Sequence, residues 1–285
     1  MFSKMVDMCE TALWRLYDQD EGGFFFGYKG DDTIDRRKLL RYNARVLLLL
    51  DGGKNAQIQD TFRFIFDKLL SSDARPPFHS IGNNGYATLG DIALFVSALK
   101  KHGLPHGHFL KLVEQAPKET MMSVPADQLP WVLEVSNRES IERDFIARRF
   151  AARKYGVPFL SFPTLIYSLH YFTVSNKIEL ADWVYELLTK YLYQKNGGWA
   201  LAHLHPFTYR KLFSVHQLGM APLYLLEYYE KSQNPTILQQ VKKSIECGLQ
   251  FVGPTRIYRS LSMQETRSYE CAFDMAGLKK AGEYL

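Results

Sequence analysis

Segments with the hydrophobic period of an α-helix recur along the whole chain, and their order constrains the fold more than any other feature. No segment alternates as a half-buried β-strand would. The pattern predicts about twelve helices in six consecutive pairs, and hence an all-α fold. The paired segments are 1–17 with 33–50, 58–70 with 88–102, 108–115 with 127–135, 140–154 with 164–174, 178–193 with 216–231, and 235–252 with 267–284.

The connections within the pairs are often long, whereas those between pairs are short. Long connections include 18–32, 71–87, 196–215 and 253–266, and short ones are 175–177 and 232–234. If the hairpins close into a ring, the long loops meet at one mouth, where functional residues tend to lie. We therefore expect one domain, residues 1–285, with its chemistry at that mouth.

A short motif occurs twice. A Leu-Tyr helix end precedes a Gly-Gly-aromatic turn in segment 16–24, which ends in Phe24, and again in segment 192–199, which ends in Trp199. Glycines allow a sharp chain reversal, and the aromatic ring can then plug the ring of helices beside the turn. The motif is interpreted as an internal repeat.

The hairpin order and these turns resemble the (α/α)6 toroid superfamily. Its members include six-hairpin glycosidases, polysaccharide lyases and sugar or glucuronyl epimerases, and terpenoid-cyclase toroids show a weaker likeness. Segments 213–222 and 265–270 are also similar to proteins of polysaccharide metabolism. The resemblance implies a carbohydrate-active enzyme, although fold likeness alone says little about activity.

Composition excludes several other classes of protein. The chain has 46% hydrophobic and 23% charged residues, as a globular protein does, and its 35 basic residues are interleaved with 30 acidic ones, which argues against nucleic-acid binding. Three widely spaced cysteines predict neither a disulfide framework nor a zinc site. No apolar run approaches the ~20 residues of a membrane span, and charges in segment 1–17 argue against a signal peptide. We expect a cytoplasmic protein of undetermined oligomeric state.

The first candidate cluster is the acidic string at 31–35. Asp31, Asp32 and Asp35 fit the DDxxD pattern with which class I isoprenoid enzymes bind magnesium and diphosphate. They could instead cap a helix, or act as acid/base groups or sugar ligands. The string follows a glycine-containing turn and lies at a predicted helix start, which suits the magnesium motif poorly.

The second cluster lies in the long loop of the fifth pair and at the start of the helix after it. It contains His203, His205, Tyr209, His216 and Gln217. An imidazole there can act as general acid or base near neutral pH. The two histidines of the His-x-His pair could ligate a metal, but without a nearby carboxylate we predict no metal site. The alternative for His216 is a structural hydrogen bond to a neighbouring loop.

The third cluster precedes and enters the last helix. Glu265, Arg267 and Glu270 place two carboxylates and a guanidinium within six residues. Arginine suits a carboxylate such as that of a uronic acid, and a buried glutamate can serve as acid or base. The alternative is a set of ion pairs that tie this helix to the ring.

The leading hypothesis is a hydrolase, lyase or epimerase that acts on an acidic or polysaccharide-derived sugar without a cofactor. Its small-molecule or oligosaccharide substrate would lie where inner-helix N-termini favour anions. The alternatives are a magnesium-dependent isoprenoid cyclase or synthase and a non-catalytic toroid that binds a glycan or a protein. The predicted catalytic residues are Asp32, Asp35, His216, Glu265 and Glu270; the predicted substrate-binding residues are Tyr28, Arg41, Asn84, Tyr86, Trp199, His203, Tyr209, Gln217 and Arg267.

Overall fold

The structure is a computed structural model. It describes residues 1–52, 55–69, 88–136, 138, 140–142, 160–203 and 207–285 with their side chains, and the backbone alone at 79–80, 83–86, 159 and 204. The predicted helix 140–154 lies almost entirely outside the described residues.

Twelve α-helices are described, and most coincide with predicted segments. They are α1 (Phe2–Trp14), α2 (Leu40–Leu49), α3 (Ala56–Phe64), α4 (Leu89–Lys101), α5 (Gly107–Glu114), α6 (Lys118–Ser123), α7 (Leu129–Ser136), α8 (Phe162–Val174), α9 (Ile178–Tyr191), α10 (Ala221–Ser232), α11 (Pro235–Gly248) and α12 (Ser268–Gly282). A π-helical segment, Ile65–Leu69, extends α3, and another, Val215–Met220, precedes α10.

Six helices form a closed inner ring. Each contacts the next in the order α2, α4, α7, α8, α10 and α12, and α12 contacts α2 again. Outer helices pack against this ring: α1 on α12, α5 on α4 and α7, α9 on α8, and α11 on α10. The predicted all-α ring of hairpins is confirmed, with α6 as an additional short helix in the third pair.

The two layers differ in their apolar patterns for a simple reason. The inner helix α4 is buried on every side from Gly90 to Leu99, since it has neighbours on both flanks and outside. The outer helix α11 buries one stripe, which contains Ile237, Val241 and Ile245, and leaves its other face in water.

Short strands join the long loops at one mouth of the ring. β1 (Gly27–Tyr28) pairs with β2 (Ile34–Asp35) and β8 (Thr266–Arg267). The other strands are β3 (His79–Ser80) paired with β4 (Asn83–Tyr86), and β5 (Phe159–Ser161), β6 (Ala202–Leu204) and β7 (Phe207–Tyr209) in a second three-stranded sheet. The predicted helix start at 33 was wrong, because residues 34–35 form β2 and α2 begins only at Leu40. Strands of two to four residues are too short to show an alternating pattern.

The internal repeat is confirmed. Tyr17 bridges Phe24, and Tyr193 bridges Trp199, in the same antiparallel manner. Both aromatic side chains that end the motif are buried, Phe24 at 1% and Trp199 at 0% exposure. The two turns therefore plug the ring of helices with an aromatic ring, as the motif indicated.

Each repeated turn is held by a buried amide from the following inner segment. Asn43 Oδ1 accepts from the Phe24 N–H at 2.6 Å, and its Nδ2 donates to the Phe24 carbonyl at 3.1 Å. Gln217 does the same for Trp199, at 2.8 and 3.0 Å. A side-chain amide can pair with both polar groups of one peptide residue, which satisfies them where water is excluded.

Replacing Gln217 with alanine is expected to lower the free energy of unfolding by about 2–4 kcal/mol. The variant leaves a buried N–H and a buried carbonyl of Trp199 without partners, at about 1–3 kcal/mol each. Urea unfolding followed by circular dichroism measures the change. Gln239→Ala, on the exposed face of α11, serves as the control and should be nearly neutral. A Gln217→Ala variant as stable as this control would contradict the proposed role.

Candidate functional site at the mouth of the ring

Two adjoining cavities open where the inner helices begin. Their volumes are about 530 and 150 Å³, and they share Asp127, Pro163 and Leu201. We call them together the mouth cavity. The smaller and deeper part is lined by ionisable groups from five inner helices or their entries, namely Arg45, Asp127, Tyr167, His216, Arg259, Tyr269 and Glu270.

Arg45 carries a positive charge into the inner ring from the middle of α2. Its Nη2 lies 3.7 Å from Asp127 Oδ2. Its guanidinium lies over the rings of Tyr167 and Tyr269, 5.7 and 5.1 Å from their centroids. Aromatic faces stabilise a cation when water is excluded, so a charged side chain can be held here.

Glu270, in the first turn of α12, is 1% exposed. Oε2 accepts from the Arg267 backbone N–H at 3.1 Å, and Arg259 Nε lies 3.1 Å from Oε1. Burial raises the pKa of Glu270 above its usual value, and the charges of Arg259 and Arg267 only partly oppose that rise. A carboxyl with a raised pKa is suited to donate and accept protons near neutral pH.

His216 lies near Arg259, in the π-helical segment. Its ring is 4.6 Å from that of Phe162 and 5.4 Å from that of Phe213. Burial, with the nearby Arg259 charge, lowers the pKa of His216 to about 3. The imidazole is therefore neutral at physiological pH, and a neutral imidazole can polarise a carbonyl or exchange a proton.

Three buried polar atoms of this lining have neither a hydrogen-bond nor an ion-pair partner among the described residues. They are Arg45 Nε, the Tyr167 hydroxyl and His216 Nδ1. An unpaired buried polar group costs about 1–3 kcal/mol, so buried groups are normally paired. Three such groups around one cavity can form hydrogen bonds with water or with a polar ligand.

Comparisons with known proteins place this architecture. The sequence matches no family model and no curated protein sequence. A solved structure of a D-mannose isomerase is similar, with a TM-score of 0.72, 11% identity, and 100% of this chain and 97% of that chain covered. A cellobiose 2-epimerase from Bacillus thermoamylovorans B4167 gives 0.70 at 12% identity, with 98% of each chain covered. A sugar epimerase from a ruminal bacterium gives 0.64 at 10% identity and the same coverage.

The fold is an (α/α)6 toroid. At these sequence identities the likeness concerns the fold, and the resemblance seen in the sequence is confirmed at that level. In this toroid the mouth cavity lies at the ends of the inner helices from which the long loops depart.

The toroid brings three of the sequence-predicted site residues to the mouth cavity. His216 and Glu270 line its deeper part, and Tyr209 lines its wider part. Glu265 does not line it; its backbone carbonyl accepts from the Arg259 N–H instead. The three predicted residues that line the mouth cavity thus come from the fifth and sixth hairpins.

The acidic string lies outside the cavity, which corrects its predicted catalytic role. Asp32 is exposed and forms an ion pair with Arg256, and Asp35 pairs with Arg37, whose Nε is 2.9 Å from Oδ1. Asp31 accepts from the Thr33 N–H within its own turn. The string joins β1 to β2 and enters no helix, so its carboxylates cannot line a helical face as a diphosphate site requires, and the isoprenoid alternative is wrong.

Three predicted substrate ligands are instead structural. Trp199 is fully buried and Gln217 pairs with its backbone, so neither side chain meets the mouth cavity. His203 is buried in β6, where its Nδ1 lies 2.9 Å from Thr208 Oγ1 and its ring packs on Tyr191. The side chains of Trp199, Gln217 and His203 therefore hold the loops in place through packing and hydrogen bonds.

Three further predicted ligands are engaged beside the cavity. Arg41 Nε donates to Asp91 Oδ1 at 2.5 Å, the Tyr28 hydroxyl donates to the Ala12 carbonyl, and Arg267 donates to the Tyr42 hydroxyl at 3.0 Å. The first contact connects α2 to α4, and the other two connect the strands β1 and β8 to α1 and α2. The predictions for the side chains of Asn84 and Tyr86, and for His205, fall outside the described residues.

Sequence reasoning missed Arg45, Asp127 and Tyr167 as members of this lining. One signal was present: Arg45 is a charge within the leucine-rich segment of an inner helix, where a solvated face is not expected. Nothing in the sequence distinguishes Asp127 and Tyr167 in this way. An aspartate before a helix is normally interpreted as a helix cap, and a tyrosine within a helix as a core residue.

Among the described residues, no group of three His, Cys, Asp or Glu side chains could hold a metal ion. Across the same residues, no helix has both the length and the apolar character needed to cross a bilayer.

The depressed pKa of His216 predicts a pH-dependent loss of stability. The folded state keeps this imidazole neutral down to pH about 3, whereas in the unfolded chain it binds a proton below about pH 6.5. The contribution of His216 to the free energy of unfolding is therefore fully present above about pH 6.5 and decreases as the pH falls below that value. Between pH 7.5 and pH 5 the wild type should lose about 2 kcal/mol more than His216→Gln in urea unfolding. Equal losses in both proteins would contradict the assignment.

Proposed function

We propose that this toroid is a carbohydrate-active enzyme that isomerises or epimerises a small sugar in its mouth cavity. The observation that carries the proposal is the convergence of a buried glutamate, a neutral histidine and an arginine on one cavity with unpaired polar atoms. The fold likeness to a D-mannose isomerase and to two sugar epimerases supports it. We treat residues 1–285 as one catalytic domain, and the free thiols of its three cysteines suit a cytoplasmic protein.

The proposed reaction is proton transfer beside a sugar carbonyl. The Glu270 carboxylate removes the proton from the carbon next to the carbonyl, and the electron pair of that C–H bond moves toward the carbonyl oxygen. His216 donates a proton to this oxygen, which gives an enediol. Glu270 then returns its proton to the neighbouring carbon, while His216 takes back the proton of the hydroxyl that becomes the new carbonyl, and this gives the isomer. If the enediol first turns its opposite face to Glu270, the proton returns to the original carbon from that face, the re-formed carbonyl again gives its hydroxyl proton to His216, and the product is the epimer.

Arg45 is assigned the stabilisation of charge on the enediol oxygens. A guanidinium fixed between two aromatic rings needs no reorganisation when charge develops, and in a cavity shielded from water its effect is large. The same donor fork also suits the carboxylate of an acidic sugar. A substrate panel must therefore include both neutral sugars and uronic acids.

Glycoside hydrolysis is the second candidate, because two carboxylates, Asp127 and Glu270, line the same deep pocket. A carboxyl pair can act as acid and base, or as acid and nucleophile, on a glycosidic bond. In that reaction Glu270, with its raised pKa, would be the acid.

Deuterium incorporation separates the two reactions. The protein is incubated in D₂O with a panel of aldoses, ketoses, uronic acids and disaccharides, and the products are followed by proton NMR. We expect exchange at the carbon next to the carbonyl together with formation of an isomer or epimer. Cleavage of a disaccharide without exchange would support hydrolysis and overturn the proton-transfer proposal.

His216→Gln and Arg45→Met are the variants to test beside the wild type. Both should lose exchange activity, while Tyr28→Phe, outside the cavity, should retain it. A panel in which no sugar reacts with the wild type would contradict the proposed function as a whole.

A further inference from the structure

A second cavity lies at the opposite end of the toroid, where the inner helices finish. Its volume is about 750 Å³, and it is lined by residues of all six inner helices and of α1. Its members from α8 and α12 stand at or after the middle of helices whose starts border the mouth cavity. We call it the basal cavity; it lies on the axis of the ring, and the proposed reaction does not use it.

A layer of aromatic rings separates the two cavities. Tyr167, which lines the mouth cavity, packs against Trp131 and Tyr224, which line the basal cavity, with centroid distances of 5.4 and 5.9 Å. A ligand in one cavity therefore does not contact a ligand in the other.

The deep part of the basal cavity contains a histidine between two glutamates. His170 Nδ1 lies 2.6 Å from Glu227 Oε2, and its Nε2 lies 3.8 Å from Glu134 Oε2. Burial opposes protonation, but Glu227 and Glu134 together raise the pKa of His170, whereas burial raises the pKa of Glu134. Ionisable groups are costly to place in a ring interior, which suggests a use beyond packing.

Three polar atoms of the lining have no hydrogen-bond partner within the described part of the chain. They are Ser97 Oγ, Trp131 Nε1 and Glu134 Oε2, and the first two belong to side chains that are 6% and 2% exposed. Trp131 can only donate, the carboxylate oxygen of Glu134 accepts, and the serine hydroxyl can do either. Their complement is a ligand with several hydroxyl groups, because each hydroxyl both donates and accepts.

The charges around the opening favour a neutral ligand. Lys101 is paired with Asp51 at 3.0 Å, and Lys280 is paired with Glu230, so much of the rim charge is already compensated. The half-buried Trp14 supplies apolar surface of the kind on which the C–H face of a sugar or polyol packs. We infer that the basal cavity binds a neutral polyhydroxylated small molecule, a free sugar or a polyol, through Ser97, Trp131 and Glu134.

Two methionines allow the cavities to be observed separately. Met275 lines the basal cavity and Met220 lines the mouth cavity. The full-length protein, labelled with ¹³C at its methionine methyl groups, is titrated with glucose, sorbitol, myo-inositol and maltose. Met275→Leu and Met220→Leu assign the two resonances. We expect at least one probe to shift the Met275 resonance to saturation, independently of any change at Met220.

Ser97→Ala removes one hydrogen-bonding atom with little change of shape, and Trp131→Phe removes the indole N–H together with part of the ring system. Each should weaken the Met275 response about five- to tenfold, as expected for one lost hydrogen bond. Trp183→Phe, on the outer helix α9, should leave it unchanged. If Trp131→Phe does not fold, Ser97→Ala alone decides.

Two results would overturn the inference: no shift of Met275 with any probe, or shifts that both lining variants retain in full. A response at Met220 alone would support a sugar site at the mouth and not at the base. Failure of the basal site is thus distinguished from failure of the proposed function.

Discussion

Glu270→Gln is expected to lower kcat/KM about 10²–10⁴-fold on whichever sugar the deuterium assay identifies. Glutamine keeps the shape of the side chain but cannot take the proton. The base must be ionised to act, and burial raises the pKa of Glu270. Activity of the wild type should therefore rise as the pH rises through this raised pKa, and the residual activity of the variant should lack that limb. Steady-state kinetics across pH measure both effects.

Glu265→Gln is the matched control for this experiment. Glu265 belongs to the same chain segment but does not line the mouth cavity. Its replacement should leave kcat/KM and the pH profile near those of the wild type. A Glu270→Gln protein with full activity, or equal losses in the two variants, would remove Glu270 from the proposed mechanism.

Gly277→Ala is expected to destabilise the toroid by about 3 kcal/mol, as overpacking does in a tight interior. Gly277 lies where α12 meets the segment Val215–Met220. An added Cβ would stand 2.3 Å from the carbonyl oxygen of Gly219 and 2.6 Å from that of Leu218. Backbone atoms cannot rotate away, so one of the two segments must shift. Because this segment carries His216, sugar turnover should also fall.

Gly282→Ala, on the same helix, provides the control. Its added Cβ would have Phe2 Cβ as its neighbour, at 3.9 Å, an ordinary contact. Alanine is favoured over glycine in a helix by up to about 1 kcal/mol, so this variant should be as stable as the wild type or slightly more. Urea unfolding of both variants measures the contrast, and equal stabilities would show that the helices can separate at no cost.

Local patterns in the sequence were sufficient to predict the hairpins. The 3.6-residue period of segments such as 235–252 and the glycines that follow helices are set by residues close in sequence. Loop lengths then indicated which mouth carries the long connections. The Gly-Gly-aromatic repeat could also be predicted, because a sharp turn needs glycine and only a large aromatic side chain can fill the space beside it.

The sequence did not predict the short strands at the mouth or the hydrogen-bond and ion-pair partners of the polar residues. Whether Asp32 faces a ligand or Arg256 depends on a contact between segments more than 200 residues apart in the chain. Gln217 looked like a ligand for the same reason: its partner, Trp199, becomes its neighbour only when the hairpin closes.

Helical period, caps and loop length are local properties of a chain. From them the sequence by itself determined the repeated Leu-Tyr and Gly-Gly-aromatic turns, the alternation of outer and inner helices, and the mouth at which the long loops meet. The tertiary structure decided which side chains share a cavity. Arg45, Asp127, His216 and Glu270 come from widely separated segments, and only closure of the ring brings these ionisable groups into one volume. Burial in that volume then shifts the pKa of His216 down and that of Glu270 up, an effect that depends on surroundings that no local pattern contains.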